Sequence, residues 1–435
     1  MSSTILDDLE ARGLVHDTTD RAALADRLAA GPVSLYYGCD PTADSLHIGN
    51  LIGLLVLRRF QDAGHRPIAL AGGATGMVGD PSGRSDERNL LDEQTLSRNV
   101  AKIKQQIAAV VPDADLVDNR DWTVDVTLLD FLRDVGKHVT VNQMLARESV
   151  KTRLASEHGI SFTEFSYMLL QARDYLWLHD HEGVELQVGG SDQWGNIVQG
   201  VDLIRRVRGK PAHALSWPLL TAPDGSKLGK TTGARIWLDP DKTSPYRFFQ
   251  HWVRTDDRQV REFLAKFTLL SLGEIDEIVA EHEKAPERRQ GQLTLAREVT
   301  RLVHGEAAEK AAEEASNALF GGNMADLSLE GFALVAREVP WAPLPAGRQL
   351  DEGLDVVPLL VETGLASSRS DARRSLEQGA VTVNGERAAP GRQIGPRDLR
   401  HSSYVVLRKG KKHYAVLVSG PQQEILRKHE SEVDA

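Results

Sequence analysis

The chain has 435 residues, 41% hydrophobic and 26% charged, with a net charge of −10; this is a globular composition on a length that calls for two or three domains, not one core. A single cysteine, Cys39, excludes an intramolecular disulfide and a cysteine-based zinc cage, so no tightly bound protein metal is expected, and any metal should come as magnesium on a nucleotide. The first residues, MSSTILDDLEARG, lack a signal-peptide pattern, and the longest apolar run, residues 51–57, is far short of the roughly 20 that span a bilayer, so a soluble cytoplasmic protein is expected.

Residues 33–37 (VSLYY) read as a buried strand ending at Gly38. The turn residues Asp40-Pro41-Thr42-Ala43-Asp44-Ser45 lead into a helix over 47–63, opened by His47-Ile48-Gly49-Asn50. A second strand, 67–71, runs into glycine-rich segments at 72–76 and 79–83, and a third, 185–188, delivers GGSDQWGN at 189–196. The alternation predicts an α/β catalytic domain, a Rossmann-like doubly wound parallel sheet with its crevice at the strand C-termini. Residues 246–320 are helical in pattern, and the proline-containing stretch 339–347 reads as a linker. The expected organisation is a catalytic domain 1–245, a helical domain 246–338, a linker 339–350, a small α+β domain 351–418 and a tail 419–435.

Charge separates the last part from the rest. Over residues 365–418 eleven Lys or Arg face four Asp or Glu, a local surplus of seven positive charges on a chain of net −10. A basic module is attached to an acidic body. Its elements read as a helix over 370–378 stopped by Gly379, a strand at 380–383, a tight Asn384-Gly385 turn, and a hairpin 404–407 and 413–418 with Arg408, Lys409, Lys411 and Lys412 at its tip.

Two short motifs carry the chemistry. The first is HIGN at 47–50, a helix N-terminus with free amides; the second is Lys227-Leu228-Gly229-Lys230-Thr231, with paired ammonium groups. Together they suit a polyphosphate gripped from two sides. Gly49 costs helix stability in a first turn, which implies a close approach to its backbone. Gly225 is one residue too near for a P-loop, and the glycines after the second strand do not spell GxGxxG. Asp192 and Gln193 at a strand end suit a ribose, and Tyr167, Gln171 and Asp174, spaced by four and three, share one helix face as a polar pocket wall.

The run LYYGCDPT before HIGN, the KLGKT form of the lysine-loop signature, and the segments GGATGMVGDPSGR, FTEFSYMLLQARD and QVGGSDQWGN, in this order, resemble the bacterial tyrosyl-tRNA synthetases from near the N-terminus to about residue 418. Tyr36 and the helix bearing Tyr167 and Asp174 separate this resemblance from the tryptophanyl relatives. It implies that Tyr36 and Asp174 bind the phenolic hydroxyl of L-tyrosine, and that Tyr167, Gln171 and Asp80 hold its ammonium. Asp40 and Gln193 would lie beside the amino acid, and Gly38, Gly49, Gly190 and Asp192 would contribute to the ATP site. His47 and Thr42, with Asn50 as a neutral donor, would contact phosphate oxygens, while Lys227, Lys230, Thr231, Arg84 and Arg88 would neutralise departing pyrophosphate.

The implied activity is tyrosine–tRNA ligation: ATP, with magnesium, activates tyrosine, which then passes to the 3′-terminal adenosine of its tRNA. No enzyme nucleophile is required, because the substrate's own carboxylate displaces pyrophosphate in line. The C-terminal part resembles the RNA-binding module shared by a primary ribosomal protein of the small subunit and pseudouridine synthases. Its tRNA contacts would come from Arg369, Arg373, Arg374, Arg408, Lys409, Lys411 and Lys412. The resemblance also implies a homodimer, with no membrane partner. A nucleotidyltransferase for a small phosphorylated substrate would leave the basic module and tyrosine pocket unexplained; a non-catalytic RNA-binding relative would have no use for the pyrophosphate grip.

Overall fold

The computed structural model describes residues 4–80, 91–155, 159–221, 235–320, 324, 327–345, 347–410 and 413–433. The chain divides into two compact units, Met1–Asp239 with Thr255–Leu295, and Pro240–Arg254 with Ala296–Ala435. The helical stretch expected as a single domain over 246–338 is therefore shared between them.

The first unit is built on six strands, β1 (Asp17–Thr18), β2 (Ser34–Cys39), β3 (Arg66–Ala71), β4 (Asp115–Asp118), β5 (Val184–Gly190) and β6 (His213–Trp217). They are ordered β1-β6-β5-β2-β3-β4, all parallel except β1 against β6. β3, β5 and β6 are buried over nearly their whole length, as near-continuous apolar strands covered on both faces should be. From β2 the chain proceeds outward through β3 and β4, then returns to lay β5 on the opposite edge of β2. That reversal leaves a crevice beyond the C-terminal ends of β2 and β5, which the doubly wound reading anticipated. The sequence reading had no counterpart for β1, β4 or β6.

Two helices deliver most of the crevice's side chains. Ile48–Asp62 follows β2 and presses an almost continuous apolar surface inward. Phe162–Glu182 begins at Ser161, whose hydroxyl accepts from the Glu164 N–H at 3.2 Å, and stops at Gly183 in the left-handed conformation at φ 65°, directly before β5.

Arg59, near the C-terminus of Ile48–Asp62, is buried and donates to the carbonyls of Ala265 (3.0 Å) and Thr268 (2.6 Å), while Arg12 donates to those of Ala265 and Leu270. Two guanidiniums thus satisfy the exposed carbonyl end of the Val260–Phe267 helix. Burial and neighbouring Arg12 hold the Arg59 guanidinium down to about 9.

The second unit contains the helices Pro245–Val253, Glu306–Leu319 and Leu329–Glu338 and a five-stranded sheet. In the sheet, Tyr404–Lys409 and His413–Val418 form the expected hairpin, flanked by Val381–Val383 on one side. The other flank corrects the sequence reading. Trp341–Pro343, inside the stretch expected to be a linker, is a strand parallel to His413–Val418, with Leu344 N–H donating to Val418 O at 2.6 Å. Proline is tolerated there because the strand is at the sheet's edge, where a missing N–H breaks no ladder. Gln422–Val433, expected as a tail, is a helix. Val356, Leu360, Leu376, Val383 and Leu407 close one apolar core beneath this sheet.

Arg59→Ala should lower the stability of the chain by about 3 kcal/mol, since it removes charged donors and leaves buried carbonyls unpaired; denaturant unfolding would measure it, and a change under 1 kcal/mol would contradict the capping role.

Candidate active site

The crevice holds three hydrogen-bonded groups, built from the Phe162–Glu182 helix, β2 and the turns that follow the strands. At its deep end Asp174, buried on Phe162–Glu182, accepts from Trp122 Nε1 at 2.8 Å and from Asn119 Nδ2 at 2.9 Å. Tyr36, from the middle of β2, stands close enough to feel that carboxylate, and its hydroxyl is buried without a hydrogen-bond partner among the described residues. Burial pushes the Asp174 carboxyl up to about 7, against the opposing pull of the Asn119 and Trp122 donors. Burial, with Asp174 adding to it, drives the Tyr36 phenol well above its ordinary range, so it keeps its proton and can donate.

The second group sits where β2 and β3 end. Asp40 accepts from Tyr167 Oη on one oxygen (2.8 Å) and from Thr75 Oγ1 on the other (2.7 Å). Thr75 in turn accepts from Asn119 Nδ2 at 3.0 Å. Gly72 is required beside them, because a Cβ there would collide with Asp40 Oδ1 and Thr75 Oγ1. The third group is at the end of β5: Asp80 accepts from Gln193 Nε2 (2.5 Å) and Asn196 Nδ2 (3.4 Å). Gln193 thus turns toward Asp80, whereas Asp192, beside Gly190, is exposed. Gln171, one helical turn from Tyr167, has a buried Oε1 without a partner among the described residues.

At the mouth, His47 caps Ile48–Asp62. Its Nδ1 accepts from Gly49 N–H at 3.0 Å, and Asn50 Oδ1 accepts from His47 N–H at 3.2 Å. With Nδ1 an acceptor, the proton belongs on Nε2. Burial first, and Arg235 second, hold the imidazole down to about 4, so it is a neutral donor at physiological pH. The group that comes close to Gly49 is the His47 ring itself: a Cβ would lie 2.8 Å from its Cε1. Its small size therefore serves the cap, where the sequence had suggested only a close approach. Thr42 is exposed in the preceding turn and Gly38 is exposed on β2.

Backbone bonds from Ile48 N–H to Ile236 O (3.2 Å) and Leu238 N–H to Leu46 O (2.8 Å) pin residues 236–238 to this helix start. There the Arg235 guanidinium lies 4.9 Å from the Trp237 ring centre, and Trp237 meets His47 edge to face. Arg84, Arg88, Lys227, Lys230, Thr231, Lys411 and Lys412 lie outside the described residues.

In the second unit Arg369, Arg373 and Arg374 are exposed on the helix Arg369–Glu377. Lys409 donates to Asp371 at 2.9 Å, with Arg374 3.3 Å from the same carboxylate, and Arg408 lies 5.9 Å from the Tyr414 ring centre. The expected basic surface is thus partly internally paired.

Sequence reasoning missed Thr75, Asn119, Trp122, Asn196, Arg235 and Trp237. Thr75 lies in GGATGMVGDPSGR, where the glycines and the resemblance point to Asp80 and Arg84 but give no signal for the threonine. Asn119 and Trp122 follow β4, whose sequence DLVD is half acidic and gives no strand signal.

Residues 28–321 match the family described as tRNA synthetases class I (W and Y). The chain belongs to that family. Residues 337–417 match the tyrosine–tRNA ligase SYY-like C-terminal domain. The tyrosine–tRNA ligase of Roseiflexus castenholzii is 50% identical over 422 residues, spanning 95% of this chain and 99% of that protein. That of Opitutus terrae is 51% identical over 421 residues, spanning 95% and 99%. Among solved structures, a C-terminally truncated mitochondrial tyrosyl-tRNA synthetase of Aspergillus nidulans is similar at 33% identity with a TM-score of 0.68, covering 73% of this chain and 94% of that one.

The indole N–H of Trp122 reports directly on Asp174. In 15N-tryptophan-labelled protein its resonance should titrate with a midpoint near 7 and lose that step in Asp174→Asn. Because the folded pKa lies above the ordinary 3.8, stability falls as pH rises between the two values, and the loss is complete above about 7. A midpoint below 5 would refute the buried, desolvated carboxyl.

Proposed function

We infer that the chain is a tyrosine–tRNA ligase, using ATP to form tyrosyl-adenylate and pyrophosphate and then passing tyrosine to the 3′-terminal adenosine of tRNA(Tyr). The observation that carries this reading is the deep end of the crevice, where a Tyr36 hydroxyl with no hydrogen-bond partner among the described residues and the Asp174 carboxylate are buried together. A substrate phenol satisfies both, donating to Asp174 and accepting from Tyr36. Phenylalanine would leave both unpaired, a discrimination for which tyrosyl-tRNA synthetases are themselves the general example.

At the other end of the amino acid, Tyr167 gives its proton to Asp40 and so offers lone pairs to the substrate ammonium, together with Gln171 Oε1 and Asp80. The substrate carboxylate then attacks the α-phosphorus of ATP, and pyrophosphate leaves with the bonding electrons. Neutral His47 donates Nε2–H to the charge developing on the phosphate oxygens, with Thr42 and Asn50 beside it; such donors act on the transition state and need no proton transfer. Lys227, Lys230, Thr231, Arg84 and Arg88 stabilise the leaving pyrophosphate, and magnesium comes with ATP as part of the substrate. Asp192 and the glycines Gly38, Gly49 and Gly190 take the nucleotide. In the second step a ribose hydroxyl of the tRNA attacks the adenylate carbonyl and AMP departs.

Residues 1–245 carry the chemistry, and the helices of 246–338 with the module 351–418 take the tRNA, held through Arg369, Arg373, Arg374, Arg408, Lys409, Lys411 and Lys412. No helix among the described residues is long and apolar enough to cross a membrane, and we place the reaction in the cytoplasm with its tRNA. The chain works as a homodimer. Leu128, Leu129, Val141 and Phe162 of the first unit are between 59% and 78% exposed, large apolar side chains that a subunit contact would cover.

Two outcomes test the reading. Pyrophosphate should exchange into ATP without tRNA when tyrosine is supplied, and not with phenylalanine or tryptophan; exchange with tryptophan would move the assignment to the sister specificity, and none at all would discard it. Leu129→Glu should convert a dimer to a monomer in sedimentation, and an unchanged mass would place the subunit contact elsewhere.

A further inference from the structure

The two ends of the tyrosine pocket are joined by one hydroxyl. The direction of every hydrogen bond in the joint can be fixed. Asn119 Oδ1 accepts from Ala74 N–H at 2.7 Å, so Nδ2 is the group that faces the pocket, and it donates both to Asp174 Oδ2 and to Thr75 Oγ1. Thr75, already accepting from Asn119, sends its single proton to Asp40 Oδ1, and Asp40 Oδ2 takes the proton of Tyr167. Asp174, Asn119, Thr75, Asp40 and Tyr167 therefore form one line in which Asn119 donates to both sides, Asp40 accepts from both sides, and the Thr75 hydroxyl links the two. Asp174, Asn119, Thr75 and Tyr167 are at most 5% exposed. Water cannot readily substitute for a missing member there.

We propose that Thr75 is a positioning residue for substrate recognition, setting Asn119 against the carboxylate that reads the phenol and Asp40 against the tyrosine that meets the ammonium. The inference rests on the tyrosine reading of this site. Its physical content is that the two recognition events share a part. Remove the Thr75 hydroxyl and Asn119 keeps one N–H without an acceptor, while Asp40 loses a charge-assisted donor. Asn119 is then free to rotate from Asp174, and Asp40 to swing and carry Tyr167 with it. A hydroxyl that only filled a buried turn would affect stability and nothing else.

The test is tyrosine-dependent pyrophosphate exchange by full-length Thr75→Val, near-isosteric and without the hydroxyl, beside Thr75→Ser. In the valine variant KM for tyrosine should rise about tenfold or more, with a smaller change in kcat, because the contacts concerned are made in the ground state and kept in the transition state. The preference for tyrosine over phenylalanine should fall by a similar factor. Serine should restore both to within about twofold of wild type, the methyl having no part in the line. An unchanged tyrosine-to-phenylalanine ratio in a folded valine variant would overturn the proposal, as would serine behaving like valine. Should the valine variant fail to fold, Thr75→Cys against Thr75→Ser reads the same ratio, since a thiol is a weak donor in nearly the same space. Wild-type protein without tyrosine exchange would overturn the assigned function itself, and that result is separate from any ratio between variants.

Discussion

Because β2 pairs in parallel with β3 on one edge and β5 on the other, the chain must leave its C-terminal end in two directions, and no connecting helix can cover the point of departure. Every group of the crevice hangs on that constraint. Asp40 is the first residue beyond β2, Thr75 lies in the turn after β3, Asn119 in the turn after β4, and Gln193 in the turn after β5. Four short turns, each anchored by a strand of the same sheet, bring together residues separated by more than a hundred positions. The precision of the site is the precision of the sheet.

Within that frame the electrostatics are arranged by burial more than by opposed charge. Asp174 is held by neutral donors, an amide and an indole, which leave its carboxyl near 7 where a paired guanidinium would have taken it far lower. His47 is kept neutral by burial, and its cap hydrogen bond selects the tautomer. Both groups are therefore poised by geometry, and neither depends on a counterion that a substrate would have to displace.

What was legible in the sequence was whatever repeats a local physical pattern. β2 and β3 are apolar runs and β5 a strand-like stretch, each leading into glycine, and all three are located to within a few residues. The Phe162–Glu182 helix announced Tyr167, Gln171 and Asp174 through their spacing, and the structure places them on one helix with Tyr167 and Asp174 joined through Asp40, Thr75 and Asn119. What stayed hidden had no local pattern. β4 reads DLVD and owes its strand to pairing with β3; Asn119 and Trp122 owe their place to that strand. Trp341–Pro343 looked like a connector because prolines favour an extended chain anywhere, and extended chain beside an open sheet edge becomes a strand only when the edge is present.

That last strand decides where the C-terminal module can be cut. Its sheet is closed on one side by residues that precede its first helix, with Pro340 O accepting from Val416 N–H and Val418 O from Leu344 N–H. A segment inherited or grafted from residue 351 onward would arrive with a raw edge along His413–Val418, ready to pair with another chain. The match to the C-terminal domain family begins at residue 337, ahead of that strand. The extent of the matched domain thus includes the strand whose hydrogen bonds close the sheet, well upstream of the basic stretch 365–418.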